Sequence, residues 1–296
     1  MTNIVLATDA NNLWGVAVTV RSVLESCSTI CNVYVICVDV KPSDRELLRD
    51  SWRTPNVGEI EFISFDKDKL AHFRSTLYLK SKVSNARLFI ADCLPNLSRC
   101  IYLDTDLIAF SDFKTLYDTD LLGNIAGCVL DSAASDPNQA ARLKDDLKLR
   151  SPSLYFNAGV ILIDLVAWRR NQVTQKAVQV STEMYDALAA LDQDILNIVL
   201  QDHWLSLDPK WNTLKFLAPK NFSDGIVHLC GRVKPWHPDY QDNFKNEFFE
   251  ILDRTKFSGK RPSSLMGLGT LYKKISRSVP TLEMIQGKLR RFYSSI

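Results

Sequence analysis

Asp104 and Asp106, two positions apart at the end of the apolar stretch Tyr102-Leu103-Asp104-Thr105-Asp106, are well spaced to hold a cation. In extended backbone the side chains at i and i+2 share a face. Two carboxylates that close repel unless positive charge sits between them. Such oxygen donors suit Mg²⁺ or Mn²⁺, and that ion would in turn hold a diphosphate. A solvated turn after a strand fits the same five residues, because Asp is common there. His228 closes another short apolar run and is one of four histidines, with His72, His203 and His237. One imidazole beside two carboxylates favours Mn²⁺ over Mg²⁺. The segment that follows, Leu229-Cys230-Gly231-Arg232-Val233-Lys234-Pro235-Trp236, supplies a glycine for close backbone approach and a lysine to meet phosphate.

Two further groups carry chemistry. Asp192-Gln193-Asp194-Ile195-Leu196-Asn197 reads as a helix start, with Asp192 as N-cap and acids in the first turn. That reading leaves Gln193 unexplained. Asn157-Ala158-Gly159 interrupts an apolar strand with two small residues, the pattern of a bulge or of a close approach by ligand or backbone.

Alternating strand and helix signals position these residues. Strands are expected at Ile4–Ala7, Val33–Val40, Glu59–Phe65, Cys100–Leu103, Ile125–Leu130, Tyr155–Leu165 and Ile226–His228. Helices are expected at Trp14–Ser26 with an Asn11 or Asn12 cap, and from a Ser43/Glu46 capping box through Trp52. Others follow at Ala86–Cys93, Thr174–Leu188, Asp192–Gln201 and Asp242–Arg254. Buried strand runs spaced by helices imply an α/β fold with an open, mostly parallel sheet. Ligands bind such sheets beyond the carboxyl ends of the strands, where Asp9 and Asp104 fall.

Taken in order, Ala7-Thr8-Asp9, residues 102–106, 155–164, 192–197 and 228–237 resemble glycosyltransferase family 8 over about residues 3–252. The resemblance is strongest to retaining bacterial galactosyltransferases and glucosyltransferases of lipopolysaccharide and lipooligosaccharide synthesis. It implies a GT-A (Rossmann-like) fold and a UDP-hexose donor, galactose or glucose. The metal is expected to be Mn²⁺, with Mg²⁺ the alternative, held by Asp104, Asp106 and His228. Ala7, Asp9 and Asn11 match positions that hold the uridine. Gly231 and Lys234 match the loop that closes on the diphosphate. Arg87, Ala158, Gly159 and Asp192 match donor-sugar contacts, and Thr105 and Asn157 belong to the same donor site. Gln193 matches the residue on the β face of the reacting carbon, and Asp131 an acid near the acceptor. Asn12 departs from the pattern, standing where relatives carry an aromatic that stacks on uracil. The stretch between Asn197 and His228, on the acceptor side, is also short.

The implied reaction moves a hexose to a glycan hydroxyl with retention. Gln193 is a poor nucleophile, which leaves either a covalent intermediate on Asp192 or attack from the leaving-group side. Other readings are a self-glycosylating primer, with Tyr240, Tyr272 or Tyr293 as acceptor, and a non-catalytic UDP-sugar-binding protein. A nucleotidyltransferase would need a glycine-rich loop after the first strand, and the segment Asp9–Gly15 has one glycine.

Charge separates the chain into two parts. The 36 basic and 34 acidic residues give a net charge of +2, without the basic surplus of a nucleic-acid binder. From 253 to 296, however, ten basic residues face two acids, so this tail carries +8 and residues 1–252 carry −6. Leu268, Leu271, Tyr272 and Ile275, and after Pro280 also Leu282, Ile285, Leu289 and Phe292, give the tail an apolar helical face. We therefore expect a catalytic domain at 1–252 and an anionic-membrane-binding segment at 253–296. A cytoplasmic enzyme, peripheral on the inner face of the cell membrane, with a lipid-linked glycan acceptor, would suit both. The seven cysteines lack CxxC spacing and read as reduced core residues. No apolar run reaches the ~20 residues needed to span a bilayer.

Overall fold

In a computed structural model, residues 1–75 and 81–262 are described. Seven strands build the central sheet in the order β3-β2-β1-β4-β7-β6-β8. They are β1 (Thr2–Thr8), β2 (Cys31–Cys37), β3 (Val57–Ser64), β4 (Arg99–Leu103), β6 (Ala126–Leu130), β7 (Phe156–Asp164) and β8 (Trp204–Ser206). A second sheet of three short strands, β5 (Leu107–Ala109), β10 (Ile226–His228) and β9 (Thr213–Leu214), stands beside it. Within the seven-stranded sheet, pairing is parallel except where β7 meets β4 and β6. This mostly parallel, helix-flanked sheet is the expected α/β class.

The antiparallel direction of β7 matters for the site. It brings the beginning of β7, with Asn157, Ala158 and Gly159, to the carboxyl ends of β1 and β4. There the Asp104 amide donates to the Gly159 carbonyl at 2.8 Å. Apolar side chains on the two faces of the sheet form two large clusters. One packs under the helix Leu13–Ser26, and the other under Leu88, Ile90, Trp168 and Leu196.

Local expectations were refined in several places. The capping box does not form: Lys41 is the N-cap and Pro42 opens the helix Pro42–Ser51, its fixed φ suiting the first turn. Asn12 caps the helix Leu13–Ser26 by position but makes no side-chain cap bond. The second strand ends at Cys37, and Asp39 turns the chain with φ 54°. Residues 83–89 form a 3₁₀ helix, and only Ile90–Cys93 is α-helical. The other expected helices are shorter: Val173–Glu183, Asp192–Val199 and Lys245–Asp253. Strands β5, β8 and β9 were not expected, because two or three residues are too few to show a period.

Gly15, the single glycine of the first loop and helix, is required by packing. A Cβ there would collide with the Thr105 carbonyl and lie 2.7 Å from Cη2 of Trp236. The helix can therefore press against the Asp104–Asp106 turn only with glycine at this point. All seven cysteines are free, five of them buried. Beyond the helix Lys245–Asp253, Thr255 and Phe257 are buried, Arg254 pairs with Glu25, and Arg261 pairs with Asp253. The expected amphipathic tail, with Tyr272 and Tyr293, lies outside the described residues from 263 on. No helix among the described residues is long and apolar enough to cross a membrane.

Candidate active site

The carboxyl ends of β1 and β4 release Asp9 and Asp104 side by side above the sheet. Asp9 accepts from the Asn11 amide at 2.8 Å and from Ser81 Oγ at 2.8 Å, which fixes the first loop. Ala7 is buried within β1, and Asn11 is exposed. Beside Asn11, Ala10, Leu13, Trp14 and Trp236 line an open cleft of about 330 Å³.

Asp104 and Asp106 do not meet through extended backbone, as the i, i+2 argument supposed, because β4 ends at Leu103. The antiparallel pairing of β5 with β10 does the work instead, setting His228 opposite Leu107. The Leu229 amide then donates to the Asp106 carbonyl at 2.8 Å. His228 Nε2 lies 3.4 Å from Asp106 Oδ1 and 3.8 Å from Asp104 Oδ2. One ligand atom from each of the three lies within 4.8 Å of the others, so the cluster could hold a metal ion. Two carboxylates and one imidazole, nearly buried but with Asp104 facing an opening, fit a divalent cation that keeps positions for other oxygens.

The surrounding charges are strongly coupled. Burial raises the Asp104 carboxyl, while Arg87 opposes the rise. Burial acts on Asp106 too, but the ammonium of Lys234 and the ring of His228 outweigh it and hold its carboxyl well below the usual range. Lys234 Nζ contacts Asp106 Oδ2 directly. Its loop passes through Gly231, whose φ of +108° suits glycine.

Arg87 is 5% exposed and ties the site together. Nη2 reaches Asp104 Oδ1 at 2.6 Å, Nη1 donates to the Ala158 carbonyl at 2.5 Å, and Nε sits 2.9 Å from Asp192 Oδ2. Its guanidinium also lies over the Tyr102 ring, 4.5 Å from the centroid. Asp192 is not an N-cap. Leu191, with φ 52°, takes that position. The Asp192 carboxylate instead points inward, accepting from Ser84 Oγ at 2.7 Å as well as pairing with Arg87. A buried cation of fixed shape is better partnered by this acid than a solvated helix end would be.

Next to Asp192, Gln193 is fixed at both ends of its amide. Oε1 accepts from the Ala158 amide at 3.1 Å, and Nε2 donates to Tyr155 Oη at 3.1 Å and Asp131 Oδ2 at 3.3 Å. Asp131 also accepts from Asn157 Nδ2 at 2.8 Å. Asp194, an acid of the first turn as expected, is fully buried. It pairs with Arg142 at 3.0 Å and accepts from Tyr155 Oη at 2.7 Å. Contacts thus join Asp104, Asp106, His228 and Lys234 to Arg87 and Asp192, and residues 157–159 to Gln193 and Asp131. Tyr155, Asp194, Arg142, Ser84 and Asn212 join them unannounced. Tyr155 and Asp194 stood inside the noticed motifs. Asn212, 2% exposed and bonded to both His228 and Asn157, had no local signal.

Gly159 has a specific reason to be glycine. A Cβ there would collide with the His228 ring. Tyr240 is 1% exposed, with Lys215 Nζ 4.7 Å from its ring centroid, so it is out of reach as a self-glycosylation acceptor.

Comparison with known proteins shows the family. General stress protein A of Bacillus subtilis is 29% identical over 246 residues, 76% of this chain and 83% of that protein. The lipopolysaccharide 1,2-glucosyltransferase of Escherichia coli K12 is 28% identical over 249 residues, 79% of this chain and 72% of that one. The crystal structure of the galactosyltransferase LgtC, solved with donor and acceptor sugar analogs, superposes with a TM-score of 0.76 at 24% identity. It covers 90% of this chain and 99% of that one. The sequence profile of glycosyl transferase family 8 matches residues 3–239, and the chain belongs to that family.

Proposed function

We propose that the protein is a retaining hexosyltransferase that moves galactose or glucose from a UDP-sugar to a hydroxyl of a lipopolysaccharide or other cell-surface glycan. The observation that carries this reading is the convergence of Asp104, Asp106 and His228 beside an amide, Gln193, that is bonded to the acid Asp131. The lipopolysaccharide glucosyltransferase among the relatives supports the acceptor class. The uracil would lie in the cleft beside Asn11, where Trp14 and Trp236 offer the aromatic surface that Asn12 lacks.

A divalent cation, Mn²⁺ by donor set, would neutralise charge on the leaving diphosphate when bound. The chain supplies the rest. Lys234, now against Asp106, is within the same cluster and adds a second positive group for phosphate oxygens. Arg87 opposes the rise that burial imposes on the Asp104 carboxyl and aims it. Asp192 is committed to Arg87 and Ser84, so a covalent intermediate on it would require breaking a buried ion pair. This favours attack from the leaving-group side. The bond from C1 to UDP breaks as the acceptor oxygen bonds to C1, and the acceptor proton passes to a phosphate oxygen of UDP. Gln193, bonded at both ends of its amide, would line the opposite face of the developing oxocarbenium ion.

The basic tail from 263 onward would hold the enzyme at an anionic membrane, where a lipid-linked acceptor is made. The decisive experiment is a donor screen with UDP-galactose, UDP-glucose and UDP-N-acetylglucosamine in Mn²⁺, reading UDP release. Release from one of the first two, abolished by Asp104→Asn or Asp106→Asn in folded protein, is expected. Full activity of either variant in EDTA would refute the metal role. Tight UDP binding without turnover across acceptors would favour a non-catalytic binder.

A further inference from the structure

We propose that Asn212 is a positioning residue that sets the tautomer of His228, through a chain of hydrogen bonds whose direction is fixed by two groups at its far end. The inference rests on the reading of His228 as a metal ligand.

The direction follows from groups that can only donate or only accept. The Gly159 amide can only donate, and it lies 2.9 Å from Asn157 Oδ1. At the other end of the Asn157 amide, Nδ2 donates to Asp131 Oδ2 at 2.8 Å. Both force one orientation of the Asn157 amide, with its oxygen toward Asn212. The Asn212 nitrogen, 2.8 Å from that oxygen, must therefore donate. Its own oxygen is then left facing His228 Nδ1 at 3.0 Å. An amide oxygen can only accept, so Nδ1 must carry the proton. With Nδ1 holding its proton against Asn212, Nε2 is the ring nitrogen whose lone pair is available on the side of Asp104 and Asp106. That is the form in which an imidazole binds a metal.

Burial makes the arrangement stringent. Asn157, Asn212 and His228 are 7%, 2% and 4% exposed, so water is a poor substitute partner. The absence of a side chain at Gly159 leaves room for the ring, while its amide anchors the chain of bonds. One glycine thus serves both the space and the direction. The same chain ends on Asp131, which also holds Gln193. The protonation pattern at the donor side is therefore tied to the acceptor side by named bonds rather than by proximity.

The test is spectroscopic first. Four histidines make the imidazole region of a ¹⁵N spectrum assignable. Long-range ¹H–¹⁵N correlations should show a proton on Nδ1 of His228. A ring bare at Nδ1 would overturn the proposal even if the protein bound metal. In Asn212→Ala the ring should move toward the Nε2–H form, and Mn²⁺ affinity measured by titration calorimetry should fall about 10- to 100-fold. Asn212→Asp, whose carboxylate still accepts from Nδ1–H but loses the donor to Asn157 Oδ1, should keep the Nδ1–H form and recover only part of that affinity. Unchanged affinity in Asn212→Ala, with Mn²⁺ bound by the wild type, would refute the role of Asn212 alone. A folded wild type that took up no Mn²⁺ would refute the metal reading and, with it, this one.

Discussion

A Cβ placed on Gly159 would stand 2.6 Å from Nδ1 of His228, so the strand and the imidazole share a space that admits no side chain. Gly159→Ala should push the ring away from Asp104 and Asp106. The expected outcome is loss of Mn²⁺ binding together with an overpacking cost of about 1–3 kcal/mol in denaturant unfolding. Wild-type Mn²⁺ affinity in this variant would show that the ring has another place to go.

Arg87 is the buried cation between Asp104 and Asp192. Arg87→Met removes it and leaves two buried acids without their partner. Breaking a buried pair costs about 3–5 kcal/mol, and the urea midpoint should fall accordingly. Arg87→Lys should rescue only part of the loss, because one ammonium cannot reproduce the fork that meets Asp104, Asp192 and the Ala158 carbonyl. Full rescue by lysine would argue that charge alone matters.

Gln193 is bonded through both ends of its amide and has no need to act as a nucleophile. Gln193→Ala should retain measurable transfer with the same anomeric outcome. Intact-mass analysis of the wild type with donor should detect no added hexose. A stable glycosyl adduct on Asp192 or Gln193 would sink attack from the leaving-group side.

Glu25 offers a test far from the site. Burial raises its carboxyl, but hydrogen bonds from Arg254 and Arg21 prevail and hold it below its ordinary value of 4.5. A depressed carboxyl stabilises the fold above its unfolded pKa, and that contribution is lost as pH falls through the folded value. Arg254→Ala should therefore destabilise at pH 7 by about 0.5–1 kcal/mol, the modest figure reflecting a partly exposed pair. The gap to wild type should close on acidification below 4.5. A gap independent of pH would point to lost packing instead.

The tail is tested by cutting after Pro262, which spares the packed Phe257 and the pair between Arg261 and Asp253. The truncated protein should lose binding to anionic vesicles and keep transfer to a small soluble acceptor. Vesicle binding that survives the cut would remove the tail from the account.

Much of this was legible in the chain. Apolar runs spaced by helical segments gave the α/β sheet, because side-chain period is a local property. The ends of β1 and β4 pointed to Asp9 and Asp104, because ligands gather at the carboxyl ends of parallel strands. Where local reasoning failed, competing local partners were the cause. Pro42 took the helix start from Ser43, and Arg87 and Ser84 took Asp192 from its capping role.

The sequence by itself determined which residue types could form the site, two carboxylates, an imidazole, an amide and a lysine, and that the first acids follow strands. Only the tertiary structure decided how they meet. His228 reaches Asp106 because three-residue strands pair antiparallel, and such strands have no period to read. Asn212 matters because the chain returns it to His228 and Asn157, partners far from it in sequence. Hydrogen-bond direction is a property of the closed network, and no single segment of the chain contains that network.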